Sequence, residues 1–118
     1  LKLGVSCRIV NMGATDIVAE FDGNVYRVQV KSSQLKEKAT NKNNYGYQFI
    51  VSKGGKKEPF TPYDCDVIAC VALDTENVWF FPVHKICRQL SKRIHPKRFD
   101  EHTTKRTWKD TIAYLETL

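Results

Sequence analysis

The stretch DIVAEFDGNVYRVQVK, residues 16–31, decides how this chain is read. Two β-forming runs, Asp16 to Phe21 and Val25 to Lys31, flank Asp22-Gly23, a dipeptide suited to a two-residue hairpin turn because both positions tolerate positive φ. Such a turn pairs Phe21 with Asn24, so facing residues have numbers that sum to 45. One face then holds Ile17, Ala19, Phe21, Tyr26, Val28 and Val30, all suited to a core. The other collects Asp16, Val18, Glu20, Arg27, Gln29 and Lys31. A slip of one residue would bury Asp16 and expose the valines, so turn chemistry and hydrophobic pattern select the same register. It sets Asp16 opposite Gln29, with Cβ atoms about 4.5–5.5 Å apart. Lys31 projects from the same face one step along the strand.

Outward from the hairpin the breaks are short. Leu1 to Gly4 reads as the end of a helix closed by glycine, an element that would begin upstream. Lys36 to Asn44 is a polar loop, after which Tyr45, Tyr47, Phe49 and Val51 alternate with Gly46, Gln48 and Ser52 in a strand ending at Gly54-Gly55. Val67 to Leu73 is an almost continuous apolar strand. Asp74 to Asn77 turns the chain, and Val78 to Val83 returns, Pro82 placing that end at a sheet edge. Ile86, Leu90 and Ile94 recur every four residues and predict a helix ended by His95-Pro96, with Arg88 and Lys92 on its solvent side. Thr107 with Asp110 resembles a capping box opening a last helix, on which Trp108, Ile112 and Leu115 share a face. The sum is an α/β domain: a central mixed β-sheet of about five strands flanked by helices. Residues 1–118 form one domain, with 1–83 as its core and 84–118 as a basic helical C-terminal segment.

Composition narrows the partners. With 118 residues, 42% apolar and 27% charged, the chain has the ordinary globular mix and room for one core. Its longest mainly apolar run, Val67 to Leu73, is far below the roughly 20 residues that span a bilayer, and no signal sequence opens it, so a cytoplasmic protein in a reducing compartment is expected. The net charge of +6 is local: His84 to Asp110 carries nine Lys and Arg against three Asp and Glu, and the remainder balances. A neutral body with a basic end suits a polyanion such as nucleic acid, although a solvated face has the same composition. Cys65, Cys70, His84 and Cys87 have a spacing poorly matched to zinc, because five residues along a strand puts side chains on opposite faces; with Cys7, reduced thiols are the better reading.

An acid, an amide oxygen and a lysine on one polar face suit phosphodiester chemistry on a hard divalent ion. Mg²⁺ takes oxygen ligands, which Asp16, Gln29 and the main-chain carbonyl of Val30 can supply. Lys31 can orient a water, help remove its proton, or neutralise charge developing on phosphate oxygens. An ordinary cross-strand polar cluster on a solvent-facing hairpin has the same spacing. Ser32, Ser33 and Gln34 follow and can hydrogen-bond a phosphate or simply form a turn. His84, His95 and His102 have no carboxylate at a telling spacing and read as backbone contacts of a nucleic acid or as surface residues.

The string from Asp16 through Gln29-Val30-Lys31 resembles the core of the PD-(D/E)XK nuclease superfamily, in the branch where Gln replaces the second acid. It is especially similar to the small group I intron-encoded homing endonucleases of that branch. Asp66 to Ala69 and Val78 to Val83 match the later strands, so the resemblance spans roughly Leu3 to Ile86. It implies a restriction-endonuclease-like core, Asp16 and Gln29 as metal-site residues with the Val30 carbonyl, and Lys31 as the catalytic lysine. Mg²⁺ is the implied cofactor, double-stranded DNA the substrate, and a homodimer or higher homo-oligomer the means of cutting both strands. Lys85, Arg88, Lys92, Arg93, Lys97, Arg98, Lys105 and Arg106 join Ser32, Ser33 and Gln34 as candidate DNA contacts. The family's usual further glutamate lies on a helix before the hairpin, and the given sequence starts at what reads as that helix's end; Thr15 stands where a proline is usual. A Holliday-junction resolvase or other structure-selective nuclease shares this core, and a catalytically silent DNA-binding module fits the single carboxylate.

Overall fold

Asp22 and Gly23 take φ values of 52° and 79°, the left-handed pair that closes a twisted two-residue hairpin. The computed structural model describes residues 4–12, 15–33, 46–53, 58–101 and 103–118. Along them run β1 (Ser6–Met12), β2 (Thr15–Phe21), β3 (Asn24–Ser33), β4 (Tyr47–Ile50), β5 (Ser52–Lys53), β6 (Glu58–Pro59), β7 (Val67–Ala72) and β8 (Asn77–Pro82). Then come α1 (Val83–Ile86), β9 (Ser91–Ile94), α2 (Pro96–Glu101) and α3 (Thr104–Glu116). Five strands form the central sheet in the order β1-β2-β3-β7-β8. It is mixed because β3 and β7 run parallel while the other neighbours are antiparallel.

The hairpin register is the one its turn dictates: Phe21 faces Asn24, and the ladder continues to Ile17 opposite Val28, every pair summing to 45. On one face of the sheet Ala19, Tyr26, Val28, Val67, Ala69 and Phe80 pack against Trp108 and Ile112 of α3. Trp108 meets Phe21, Tyr26 and Phe80 edge-on, at centroid distances of 5.8, 6.2 and 5.0 Å. Two buried threonines fasten this helix to the outer strand: Phe80 N–H donates to Thr107 Oγ1 at 3.2 Å, and Thr111 Oγ1 donates to the Phe80 carbonyl at 3.0 Å. An edge strand's unpaired backbone is thereby covered.

The opposite face is closed by a second layer in which β4 pairs antiparallel with β9. Tyr47, Phe49, Val51, Phe60, Ile86, Ile94 and Phe99 are buried there against Ile68, Cys70 and Ala72 of β7. Gln29 lies beside Ile68 and Lys31 beside Cys70 in the parallel ladder, which puts both polar side chains on this second-layer face.

Several expectations change. Residues 86–94 are not a helix: α1 ends at Ile86, Leu90 is exposed, and Ser91–Ile94 forms β9, whose hydrogen bonds go to β4. A tertiary partner strand overrides the four-residue apolar spacing. Lys92 therefore sits opposite Phe49 on the core side of β9, half-buried, its ammonium 5.3 Å from the Phe81 ring centroid. Pro96 opens α2 rather than closing a helix, as the fixed φ of proline allows at a first helical position. The cap of α3 is Thr103, whose side chain accepts from Arg106 N–H, so Thr107 lies inside the helix. β1 was not anticipated, and the strand expected from Tyr45 is the short β4, outside the central sheet. The helix end expected at Leu1 to Gly4 lies outside the described residues except for Gly4, which takes φ 73°.

Candidate active site

The polar face of the hairpin is assembled where β2 and β3 part. Asp16 lies one step beyond the last paired residues, and its Oδ2 accepts the Val30 backbone N–H at 2.9 Å. A strand residue sends its N–H and C=O to the same side, so the Val30 carbonyl also leaves β3 toward Asp16. Gln29 is half-buried, and its Oε1 is fully shielded from solvent without a hydrogen-bond partner. An amide oxygen in that condition forgoes roughly 1–3 kcal/mol, a cost that an ordered water or a bound ion offsets. Lys31 sets its ammonium 5.0 Å from the Phe60 ring centroid, which holds the cation by the ring's negative face.

The donor set is all hard oxygen: one carboxylate, one amide carbonyl and one main-chain carbonyl. That suits Mg²⁺ better than zinc. No cluster of three or more His, Cys, Asp or Glu suited to a metal occurs among the described residues. Cys65 and Cys70 are buried free thiols; burial pushes both up to about 12, for Cys65 with help from Asp64 and Asp66, so neither is a thiolate at neutral pH. Cys7, by contrast, is exposed, and Cys87 is half-buried.

Sequence reasoning missed the residues that brace this site. Thr15, buried, donates its hydroxyl to the Asp64 carbonyl at 2.9 Å and so ties the residue beside Asp16 to the loop before β7. Arg27, two residues before Gln29 on the same face, spans that loop: Nη1 donates to the Tyr63 carbonyl at 2.8 Å and Nη2 to the Pro62 carbonyl at 2.7 Å. Its Nε and Nη2 reach Asp66 at 3.3 Å, the Arg27 N–H donates to Asp66 Oδ2 at 2.8 Å, and the Asp66 N–H donates to the Arg27 carbonyl at 2.8 Å. The Asp66 hydrogen bond raises the Arg27 guanidinium above its ordinary value. Burial alone would raise Asp64, but Lys53 at 2.8 Å and the N–H and hydroxyl of Thr61 outweigh it and hold the carboxyl below the usual range. An Arg two residues from a site residue, on the same strand face, was the available signal.

These features coincide with a match along almost the whole sequence: the family model for PD-(D/E)XK endonucleases fits residues 2–115. The chain belongs to the PD-(D/E)XK endonuclease family. Its fold is similar to that of a solved structure described as a bacterial homing endonuclease, I-Ssp6803I, with a TM-score of 0.59 and 22% identity. That similarity covers 77% of this chain and 63% of the other, so this chain spans under two thirds of that protein's length. No curated protein matches the sequence. The restriction-endonuclease-like α/β core anticipated from the hairpin is therefore the fold of this family member.

The candidate DNA contacts divide between the two sides of the sheet. Arg88, Arg93, Lys97 and Arg98 are exposed on the connections and elements of the second layer, the side of Gln29 and Lys31. Lys105 and Arg106 lie on α3, which packs on the other face, and Arg106 is 3.9 Å from Asp110. Lys85 rests its ammonium 4.6 Å from the Tyr114 ring centroid, at the seam between α1 and α3. Ser32 is exposed and Ser33 half-buried at the end of β3; Gln34 and His102 lie outside the described residues. No helix among the described residues is long and apolar enough to cross a membrane.

Proposed function

We propose that this family member is a Mg²⁺-dependent endonuclease of double-stranded DNA, of the site-specific homing type, working as a homodimer or larger homo-oligomer inside the cell. The observation that carries the reading is Gln29 Oε1, buried without a hydrogen-bond partner among the described residues, next in sequence to the Val30 N–H that the Asp16 carboxylate accepts and on the face of Lys31. Asp16, Gln29 and the Val30 carbonyl would hold the ion. When bound, Mg²⁺ supplies positive charge to a phosphate and acidifies a water. Lys31 would orient the attacking water, help remove its proton or neutralise charge on the phosphate oxygens, and Phe60 limits where its side chain can go. One such site per chain requires two copies to cut both strands, which favours a two-fold target.

Nicking of supercoiled plasmid with and without Mg²⁺ tests the reading. Wild type should nick only with the ion, while Asp16→Asn and Lys31→Ala should bind DNA without nicking it. Wild-type nicking by either variant would remove the assignment. Discrete cut sites on long DNA support the homing type, and preference for branched over linear substrate would instead indicate a structure-selective resolvase. Gln29 in place of a second acid favours a second reading, a catalytically silent DNA-binding module, which binding without nicking by the wild type would establish.

A further inference from the structure

Tyr63 is 92% exposed, more than any other large apolar or aromatic side chain among the described residues. A lone exposed aromatic is ordinary on a protein surface. This one differs because its backbone is fixed from every side while its ring is left in water. It occupies the third position of a turn closed by Asp64 N–H donating to the Thr61 carbonyl at 2.9 Å, with Pro62 at the preceding position limiting φ. Thr61 Oγ1 accepts the Tyr63 N–H at 3.3 Å, and Arg27 holds the Pro62 and Tyr63 carbonyls. Lys53 anchors Asp64, which in turn receives the Thr61 N–H and hydroxyl. The Arg27 side chain is about 40% exposed, so its four side-chain bonds order a surface loop rather than fill a core.

The turn is also tied to the neighbourhood of the site. The Asp64 carbonyl accepts from Thr15, the residue next to Asp16. Arg27 stands about 7 Å along β3 from Gln29. Phe60, immediately before the turn, lies against Lys31. Movement of the turn would therefore be felt beside Asp16 and, through Phe60, at Lys31.

We infer that Tyr63 is a DNA-contacting residue, its ring held by the Arg27-braced turn to pack on the nucleotide next to the phosphate presented to Asp16, Gln29 and Lys31. This rests on the nuclease reading above. The energetic logic is preorganisation: the ordering of the loop is complete before DNA arrives, so ring contact is gained without a further loss of freedom. A rigid aromatic beside a cleavage site can stack on a base or wedge at a base step.

The test measures binding of a fluorescein-labelled random-sequence duplex, with Ca²⁺ in place of Mg²⁺, by wild type, Tyr63→Ala and Tyr63→Phe. Tyr63→Ala should weaken Kd by roughly 5- to 150-fold, the range seen when an aromatic that contacts a base is truncated. Its melting temperature should not change, because the ring buries almost nothing. Tyr63→Phe should bind as wild type does. Affinity of Tyr63→Ala within twofold of wild type would overturn the inference alone. So would a Tyr63→Phe as weak as Tyr63→Ala, which would assign the contact to the hydroxyl. A wild-type protein that neither binds the duplex nor nicks plasmid would overturn the nuclease reading and this inference with it.

Discussion

Replacing Gln29 by leucine should make the metal-free protein more stable and the enzyme inactive. Gln29 Oε1 is shielded from solvent and has no hydrogen-bond partner among the described residues, so on the metal-site reading its desolvation is offset when the ion binds. An unpaired buried carbonyl costs about 1–3 kcal/mol. Leucine keeps the approximate bulk, removes the oxygen, and suits a strand beside Ile68. The expected gain is about 1–2 kcal/mol, which for a domain of this size raises Tm by roughly 3–5 °C per kcal/mol. Magnesium should then separate the two proteins. A ligand at a hundredfold excess over its dissociation constant stabilises the folded state by about 2.7 kcal/mol, so wild type should gain several degrees and Gln29→Leu none. Thermal melts in EDTA and in Mg²⁺, run beside plasmid nicking, read all of these quantities. A Gln29→Leu protein that melts at or below wild type in EDTA would refute the uncompensated oxygen, and one that gains as much from Mg²⁺ as wild type would refute the ligand role. Gln29→Glu should show the reverse order, losing stability in EDTA and recovering it in Mg²⁺.

The remaining predictions concern the scaffold and the charged surfaces. Reversing Lys97 and Arg98 to Glu should weaken DNA binding and flatten its salt dependence, whereas reversing Lys105 and Arg106, across the sheet on α3, should do much less; equal slopes in a salt titration would place the DNA elsewhere. Thr111→Val strips the Phe80 carbonyl of its buried donor and should cost about 1–3 kcal/mol in a urea melt, with the loss of α3 docking visible as Trp108 fluorescence. Asp64 has its folded pKa below the unfolded value, so its contribution is complete above the unfolded value and fades as pH falls through the folded one; Asp64→Asn should flatten the acid limb of stability against pH.

The hairpin was readable because two independent signals, the turn dipeptide and the alternation, named the same register, and all five ladder pairs follow it. The β7–β8 hairpin was legible for a like reason: an apolar run, a polar turn and a return. Ile86, Leu90 and Ile94 misled because a four-residue apolar spacing says nothing about a partner strand. Ser91–Ile94 has one in β4, 41 to 47 residues earlier, where Phe49 faces Lys92 and Tyr47 faces Ile94. The site was half visible. Asp16, Gln29 and Lys31 follow from one hairpin, but Thr15, Arg27 and Phe60 act through the turn at 61–66, which lies 35 to 49 residues from the first two in sequence. Nothing local marks such a contact.

The parallel seam between β3 and β7 also bears on how the molecule comes into being. Every metal-site candidate lies on a hairpin able to form early, from neighbours in sequence, yet the turn that braces it arrives only with β7, since Val28 pairs with Val67. Pairings of such separation close late, after a loop has been drawn in against its entropy. A growing chain would carry all three candidate site residues before it carried Asp64 and Asp66, the partners of Thr15 and Arg27. On the proposed nuclease reading, the site would gain its bracing only once the chain through β7 has folded onto β3.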